Sequence, residues 1–479
     1  MSDLFAVKPV LLWSDALIFV LVATLVMFFV HLARDRLTRQ RWTPVFASPV
    51  GMGSFIVVMF YVLIAVLDSI HYREQLAAVD GSDNTSAEEV HYSQEVRSLL
   101  DDVLSGLKEN SEKTYSAPFS IYSFSKENVT LEDGTVIREY PRLDGAGSHL
   151  ESEDGKTWDI FTRSIEAVLI GLLISGALIA LQVQWRFRCP PEGCPLDENG
   201  KPLVTASRHI PWKTLYGTVT ALIVLTTWVL SVGEVYHILG TDQVGQDVLV
   251  QAVKAIRTGV LIGTLATLLT LPLAIGLGIS AGYFKGWVDD AVQYIYTTLS
   301  SIPGILLIAA SVLLIDVYIE THSDDFTLLA ERADFRFLAL CFILGLTSWT
   351  GLCRLLRAET LKVSQLDYVQ AARAFGVRHS RIISSHILPN VTHIVLIALV
   401  LDFSGFVLAE AVLSYVGVGV DPSMASWGNM INEARGELSR EPVVWWPVCA
   451  AFIMMFALVL AANLFADRVR DAFDPRAKG

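Results

Sequence analysis

The chain has 479 residues, 53% hydrophobic and 18% charged, with a formal net charge of −13 and a mean hydropathy of +0.48. So apolar a composition over this length excludes an ordinary soluble enzyme and points to an integral membrane protein. The acidic balance gives no reason to expect nucleic acid as a partner.

A membrane helix needs roughly 20 mostly apolar residues. About nine runs qualify, near 11–33, 53–70, 164–184, 213–233, 254–281, 291–315, 335–356, 390–416 and 445–466. The first lacks a basic leading segment and is longer than the apolar stretch of a signal peptide, so it reads as a permanent anchor. Arg34, Arg36, Arg39 and Arg41 follow the first run, and Arg186, Arg188, Lys201, Arg208 and Lys213 follow the third. The excess of positive charge places both loops in the cytoplasm. Alternation then puts Lys285, the segment 364–390, Arg468 and Arg470 on the same side, and the short N-terminus outside.

Between the second and third runs, His71 to Thr162 carries 19 acidic against 8 basic residues, a net of −11. The segment is long enough for a small domain. Glu88 to Leu107 looks helical, and Thr130 to Tyr140, with Asp133-Gly134 inside it, looks like a hairpin. It is expected to be a small extracytoplasmic α+β insertion, or else a partly disordered acidic loop. Of the five cysteines, Cys341, Cys353 and Cys449 fall in membrane runs, and Cys189 and Cys194 in a loop where thiols stay reduced. The spacing in CPPEGCP suits half a zinc site. No second pair follows, His209 is the nearest further ligand type, and a rigid connector is the plainer reading.

The second half carries more local signals. In His237 to Asp247, HILGTDQVGQD, Gly240 and Gly245 punctuate a tight turn, while Asp242 and Asp247 can accept from nearby backbone N–H groups. Gly259 with Gly263, and Gly278 with Gly282, have the spacing that lets helices approach closely. Pro272 and Pro303 lie inside expected spans, where they can kink a helix. Asp402 and Glu410 are carboxylates at membrane depth, which by default face a cavity or a partner, so both are candidates for a translocation path. A buried structural bond is at least as good a reading for Glu410.

The polar stretch from Ser364 to Asn390, SQLDYVQAARAFGVRHSRIISSHILPN, lies between two apolar runs. Ser364 and Asp367 have capping-box spacing, so a short helix should begin there. Gly376 can close it in the left-handed conformation. Val377 to His386 can form a second short helix, with Pro389 in the first turn of the next span. No G-x-x-x-x-G-K-[ST] pattern occurs to cradle phosphates; the nearest approach, Gly193 to Gly200-Lys201-Pro202, has the wrong spacing and Pro in the last place. No enzymatic chemistry is expected of this chain.

The order Ala371, Ala372, Gly376, Leu388, Pro389 resembles the EAA signature of the membrane subunits of ABC importers, and the ending HILPN is similar to the dipeptide and oligopeptide permease branch. Gln370 stands where the signature has Glu. The resemblance is continuous from about Pro211: HILGTDQVGQD matches that branch's H-x-L-G-T-D-x-x-G-R-D segment with Gln246 for Arg, AGYFKGWVDD is similar to the family's turn, and LAEAVLSYVGVGVDPSMASWG resembles its L-x-E-A-x-L-S-F-L-G-L-G stretch with the Ser-Trp-Gly sequel. The resemblance implies an all-α membrane protein with a six-helix importer core. Its coupling loop at 364–390 would dock an ATPase through Gln370, Ala371, Ala372, Gly376, Leu388 and Pro389. The outer segment would offer His237, Gly240, Thr241, Asp242, Gly245 and Asp247 to a substrate-binding protein.

The expected organisation is two N-terminal spans with a basic loop at 1–70, the acidic extracytoplasmic domain at 71–162, a third span and connector at 163–211, and the permease core at 212–479. The implied partners are a homologous permease subunit, two ATP-binding subunits, an extracytoplasmic binding protein, a peptide substrate and membrane lipid. ATP and magnesium would be held by the partner subunits and no cofactor or metal by this chain, in a bacterial cytoplasmic (inner) membrane. A nickel or other small-solute permease shares the same signature. An ion-coupled transporter would use Asp402 and Glu410 but needs an internal repeat that the spans do not show. A membrane scaffold built around the acidic domain is the remaining alternative.

Overall fold

The structure is a computed structural model that describes residues 7–75, 92–108, 110–130, 136–150, 153–188, 210–326 and 328–473. The connector with Cys189, Cys194, Lys201, Arg208 and His209, and the Asp133-Gly134 turn, lie outside those residues. Among the described residues nine helices are long and apolar enough to cross a membrane.

Strand β1 (Val7–Val10) leads into α1 (Trp13–Arg34), followed by α2 (Arg36–Ala47) and α3 (Pro49–Asp68). Strands β2 (His71–Glu74) and β3 (Arg97–Ser98) and the short helices α4 (Leu99–Val103) and α5 (Ser105–Lys108) open the insertion, which continues through β4 (Glu127–Thr130) and β5 (Val136–Glu139). The long helices α6 (Lys156–Arg188), α7 (Trp212–Gly233) and α8 (Val248–Phe284) follow. Beyond them come α9 (Trp287–Ser301), α10 (Gly304–Thr321), α11 (Leu329–Ser348) and α12 (Thr350–Val363), then α13 (Asp367–Ala374), α14 (His379–Ile382), α15 (Leu388–Tyr415), α16 (Trp427–Glu437) and α17 (Trp446–Phe473).

Helix α8 is the axis of the molecule, touching α3, α11, α12, α15 and α17. Its glycines explain how the neighbours come so close. A Cβ on Gly259 would fall 2.5 Å from the Trp427 ring, one on Gly263 would fall 2.5 Å from Phe403, and those on Gly278 and Gly282 would meet the backbone oxygens of Cys353 and Arg357 at 2.8 and 2.7 Å. The small-residue spacing thus serves packing, because backbones without side chains between them can sit in van der Waals range of their neighbours. Pro272 sits inside α8 as expected.

Four local expectations are corrected. The span expected at 291–315 is broken, because Pro303 cannot continue a helix and forces Ile302 into an extended conformation, φ −92° and ψ 132°. Residues 92–98 are not helical; among the described residues the helix expected over Glu88 to Leu107 is limited to α4 and α5. The third span starts at Lys156, ahead of the expected 163. Ser364 does not cap a new helix: it terminates α12, its Oγ donating to the Leu361 carbonyl at 2.9 Å, and α13 starts after Leu366.

The insertion is both helical and stranded. β2 pairs antiparallel with β1, Val10 opposite His71, and with β3 on its other edge. β4 and β5 form the expected hairpin, Glu127 opposite Glu139. The N-terminal strand is therefore stitched to the insertion at one end of the bundle. At the opposite end α2 is held by aromatic rings, Trp42 lying 5.0 Å from Phe28 and 5.3 Å from Phe473 of α17.

Candidate functional site

Two regions carry the sequence signals, one at each end of the bundle. The loop at 364–390 is built on α13, whose buried Val369 packs against the apolar cluster at the end of α8. Gln370, Ala371, Gly376, Leu388 and Pro389 are exposed and Ala372 is half-buried. Gln370 turns back, Nε2 donating to the Gln365 carbonyl at 3.0 Å. Gly376 takes φ +72°, with open space around it, and ends α13 as a left-handed closing residue does. Phe375, just before it, is 87% exposed. Beyond Gly376, α14 passes through a π turn at Ile383–Ile387 into α15, with Pro389 in the first turn of α15 as expected.

What pins this loop is not evident from the sequence. Tyr283, at the end of α8, hydrogen-bonds His379 Nδ1 at 2.8 Å, and the Arg373 guanidinium lies 5.3 Å over the same ring. Nearby, Arg357 of α12 grips Asp289 of α9 with two bonds of 2.5 and 2.7 Å. That bidentate pair holds the Asp289 carboxyl below its usual range, against the opposing effect of burial. α13 and α14 are thereby tied directly to the end of α8. Tyr283 falls within the AGYFKGWVDD turn, but its partners lie in a loop about 90 residues further on and share no pattern with it.

At the other end, His237, Gly240, Thr241, Gly245 and Asp247 are buried and Asp242 is half-buried. Thr241, Gly245 and His237 meet partners in the insertion. The Thr241 hydroxyl accepts from Ser116 N–H at 2.6 Å and donates to the Thr114 carbonyl at 2.8 Å. Gly240 and Gly245 have φ +68° and +82°, and a Cβ on Gly245 would stand 1.7 Å from the Glu112 carbonyl. Asp247 caps α8, accepting from Leu249 N–H at 2.7 Å, and also meets His237 Nδ1 at 2.8 Å. Glu112 of the insertion stands 3.7 Å from the other ring nitrogen, its own oxygens receiving the N–H groups of Asp144, Gly145 and Ala146 at 2.9 to 3.1 Å. Burial alone would lower the His237 pKa; the carboxylates Asp247 and Glu112 outweigh it and push it up to about 9. What remains exposed of this turn is its rim, Gln243, Val244 and Gln246.

The two intramembrane carboxylates differ. Glu410 is 2% exposed and accepts from the Ser414 hydroxyl at 2.7 Å, and Gly428 packs against it so closely that a Cβ would stand 2.8 Å away. The Ser-Trp-Gly sequel therefore has three packing tasks. Ser426 caps α16 through Asn429 N–H, Trp427 donates to the Ala252 carbonyl at 3.0 Å, and Gly428 seats on Glu410. Asp402 is half-buried, and its Oδ2 has no hydrogen-bond partner among the described residues.

A family model described as binding-protein-dependent transport system inner membrane component matches residues 274–479. The oligopeptide transport system permease protein OppC of Mycobacterium tuberculosis (strain ATCC 25618 / H37Rv) is 33% identical over 242 residues, which are 50% of this chain and 77% of that protein. The chain belongs to this family of importer permeases. The glutathione transport system permease protein GsiD of Pectobacterium atrosepticum is 31% identical over 243 residues, 50% of this chain and 73% of that one. The dipeptide transport system permease protein DppC of Lactococcus lactis subsp. cremoris is 29% identical over 241 residues, 50% and 64%. The permease is a multi-pass inner-membrane component, a transport protein and not an enzyme, whose family works with separate ATPase and binding-protein subunits.

Proposed function

We propose that this permease forms half of a translocation path for di- or oligopeptides and takes its energy through the loop at 364–390. The observation that supports the reading is the two-sided build of that loop: one side offers Ala371, Phe375 and Gly376 to solvent, and the other is tied through His379 and Arg373 to Tyr283 of α8. A homologous permease completes the path, two ATPase subunits bind at the cytoplasmic end with ATP and magnesium, and an extracytoplasmic binding protein delivers the peptide. ATP binding closes the ATPases, the loops move with them, and the α8 helices carry the permeases between inward-open and outward-open states. The loop must bind its ATPase differently in the two states, since equal affinity would shift nothing. Docking by shape at Phe375 and Gly376 is compatible with Gln370 in place of the signature's Glu.

The test is copurification. Phe375→Asp leaves the fold intact, because the ring is 87% exposed, and should reduce the ATPase recovered with the permease by about tenfold or more, as expected for loss of a central apolar anchor. Undiminished recovery would contradict docking at this loop.

A further inference from the structure

Between the insertion and the core lies a cavity of about 870 Å³, within the range of ~300–1,000 Å³ usual for ligand clefts. Its walls come from two sources. The insertion supplies Glu95, Asp101, Lys108 and Tyr115, and the core supplies the Asp242 turn, the start of α8 and the face of α16 that carries Glu433. Amide and hydroxyl groups alternate there with apolar surface, Gln251 and Asn429 beside Val250 and Met430, a mixture that suits a peptide backbone and its side chains.

The charges in the wall are unequally matched. Lys254 Nζ bonds both oxygens of Asp101 at 2.8 and 3.0 Å, and Lys108 lies 3.4 Å from Glu95. Asp247 faces His237 at 2.8 Å, and Glu437 faces Arg440 at 3.0 Å. Asp242 and Glu433 have no cationic partner among the described residues. Asp242 spends one oxygen on the N–H groups of Val244 and Gln246 and the other on Gln251. Glu433 is exposed to the cavity, where partial desolvation and then the nearby Asp242 raise its pKa. The parts of the insertion outside the described residues, 76–91, 109, 131–135 and 151–152, contain no lysine or arginine in their sequence that could supply the missing charge.

We propose that this cavity is a receiving site for short cationic peptides, whose α-ammonium group or Lys and Arg side chains meet Asp242 and Glu433. The proposal rests on the transport reading above and adds to it a substrate class and a task for the insertion, which supplies one wall of the site.

The test is direct binding to the full chain in nanodiscs of neutral phosphatidylcholine, without ATP or partner subunits. Calorimetry would compare trilysine, trialanine and triglutamate at low salt and at roughly 0.3 M, where the Debye length is short enough to screen exposed charges. Trilysine should bind about tenfold or more tightly than triglutamate, with the gap narrowing in high salt as the charges are screened. Glu433→Gln, on the cavity-facing side of α16, should weaken trilysine about three- to tenfold and weaken trialanine, which brings only its α-ammonium group, less. Glu433→Lys should abolish the preference. Unfolding curves matching the native chain would show that both variants fold. Equal affinities for the three peptides, or trilysine binding indifferent to both variants, would overturn the proposal. ATP-driven uptake by the assembled transporter would survive that result, so the two readings fail separately.

Discussion

His237 is 1% exposed and sits between Asp247 and Glu112, carboxylates from the core and from the insertion. Its pKa is raised from 6.5 to about 9 in the folded chain, so the stabilisation is fully present below pH 6.5 and is lost as the pH rises through about 9. A shift of this size corresponds to ~3 kcal/mol. The stability difference between the native chain and His237→Asn in detergent should therefore shrink by roughly that amount from about pH 6 to about pH 9.5. A difference constant across that range would show that the charged imidazole does not join insertion to core. Asp402 presents the opposite case, a carboxylate oxygen without a partner among the described residues. Asp402→Asn should not lower stability, because it removes a carboxylate charge whose buried oxygen has no partner among the described residues, so a change in transport without a loss of melting temperature would assign it to the path.

At the scale of elements, the accessory helices are fixed to the core by ions. Arg257, buried in α8, donates to Asp15 Oδ1 and Ser14 Oγ of α1, both at 2.6 Å, and to Ser69 at 3.2 Å. Asp15 also meets His71 at 2.8 Å, and Ser14 N–H donates to Asp334 of α11 at 3.2 Å. Arg257→Met should cost about 3–5 kcal/mol by stranding the Asp15 charge. Adding Asp15→Asn should recover part of that loss, because the two act as one unit. A single variant within about 1 kcal/mol of the native chain, the range of an exposed pair, would contradict the clamp. Gly259→Leu should destabilise the bundle by about 1–3 kcal/mol, since the side chain would have to displace the Trp427 ring.

The same elements separate what a sequence reveals from what it hides. The spans are legible because roughly 20 apolar residues are a local signal, and the α8 glycines because their spacing is local too. The break at Ile302-Pro303 escapes a hydropathy reading, which runs through a proline that the backbone cannot follow. The capping pair at Ser364 misleads because α12 runs on through Val363 and claims Ser364 for its own end. Glu410 is ambiguous in the sequence between path and packing, yet its bond to Ser414 lies one helical turn away, within reach of a periodicity argument. The Arg257–Asp15 pair, the His237–Glu112 contact and the Tyr283–His379 bond join residues 242, 125 and 96 positions apart. Pairings at such separations leave no trace in a single sequence.

Taken whole, the permease carries the family's machinery in its second half and an addition in its first half that is not a separate appendage. β1 is paired to the insertion, and α1 and the insertion meet the core through buried ions and the Glu112 contact, so the added half shares the end of the bundle that the 237–247 turn occupies. The loop at 364–390 lies at the other end of the same long helix, α8. On the proposed mechanism, movement enters at α13 and leaves along α8. The most direct measurement is peptide uptake into proteoliposomes holding the permease with its partner subunits, recorded beside ATP hydrolysis for the native chain, Gly376→Asn and Gly376→Val. The β-branched residue is strained at φ +72°, by about 1–3 kcal/mol, whereas asparagine tolerates that conformation. Uptake per ATP should fall steeply in Gly376→Val and little in Gly376→Asn. Equal uptake in all three, or uptake that proceeds without ATP in a proton gradient, would contradict this route.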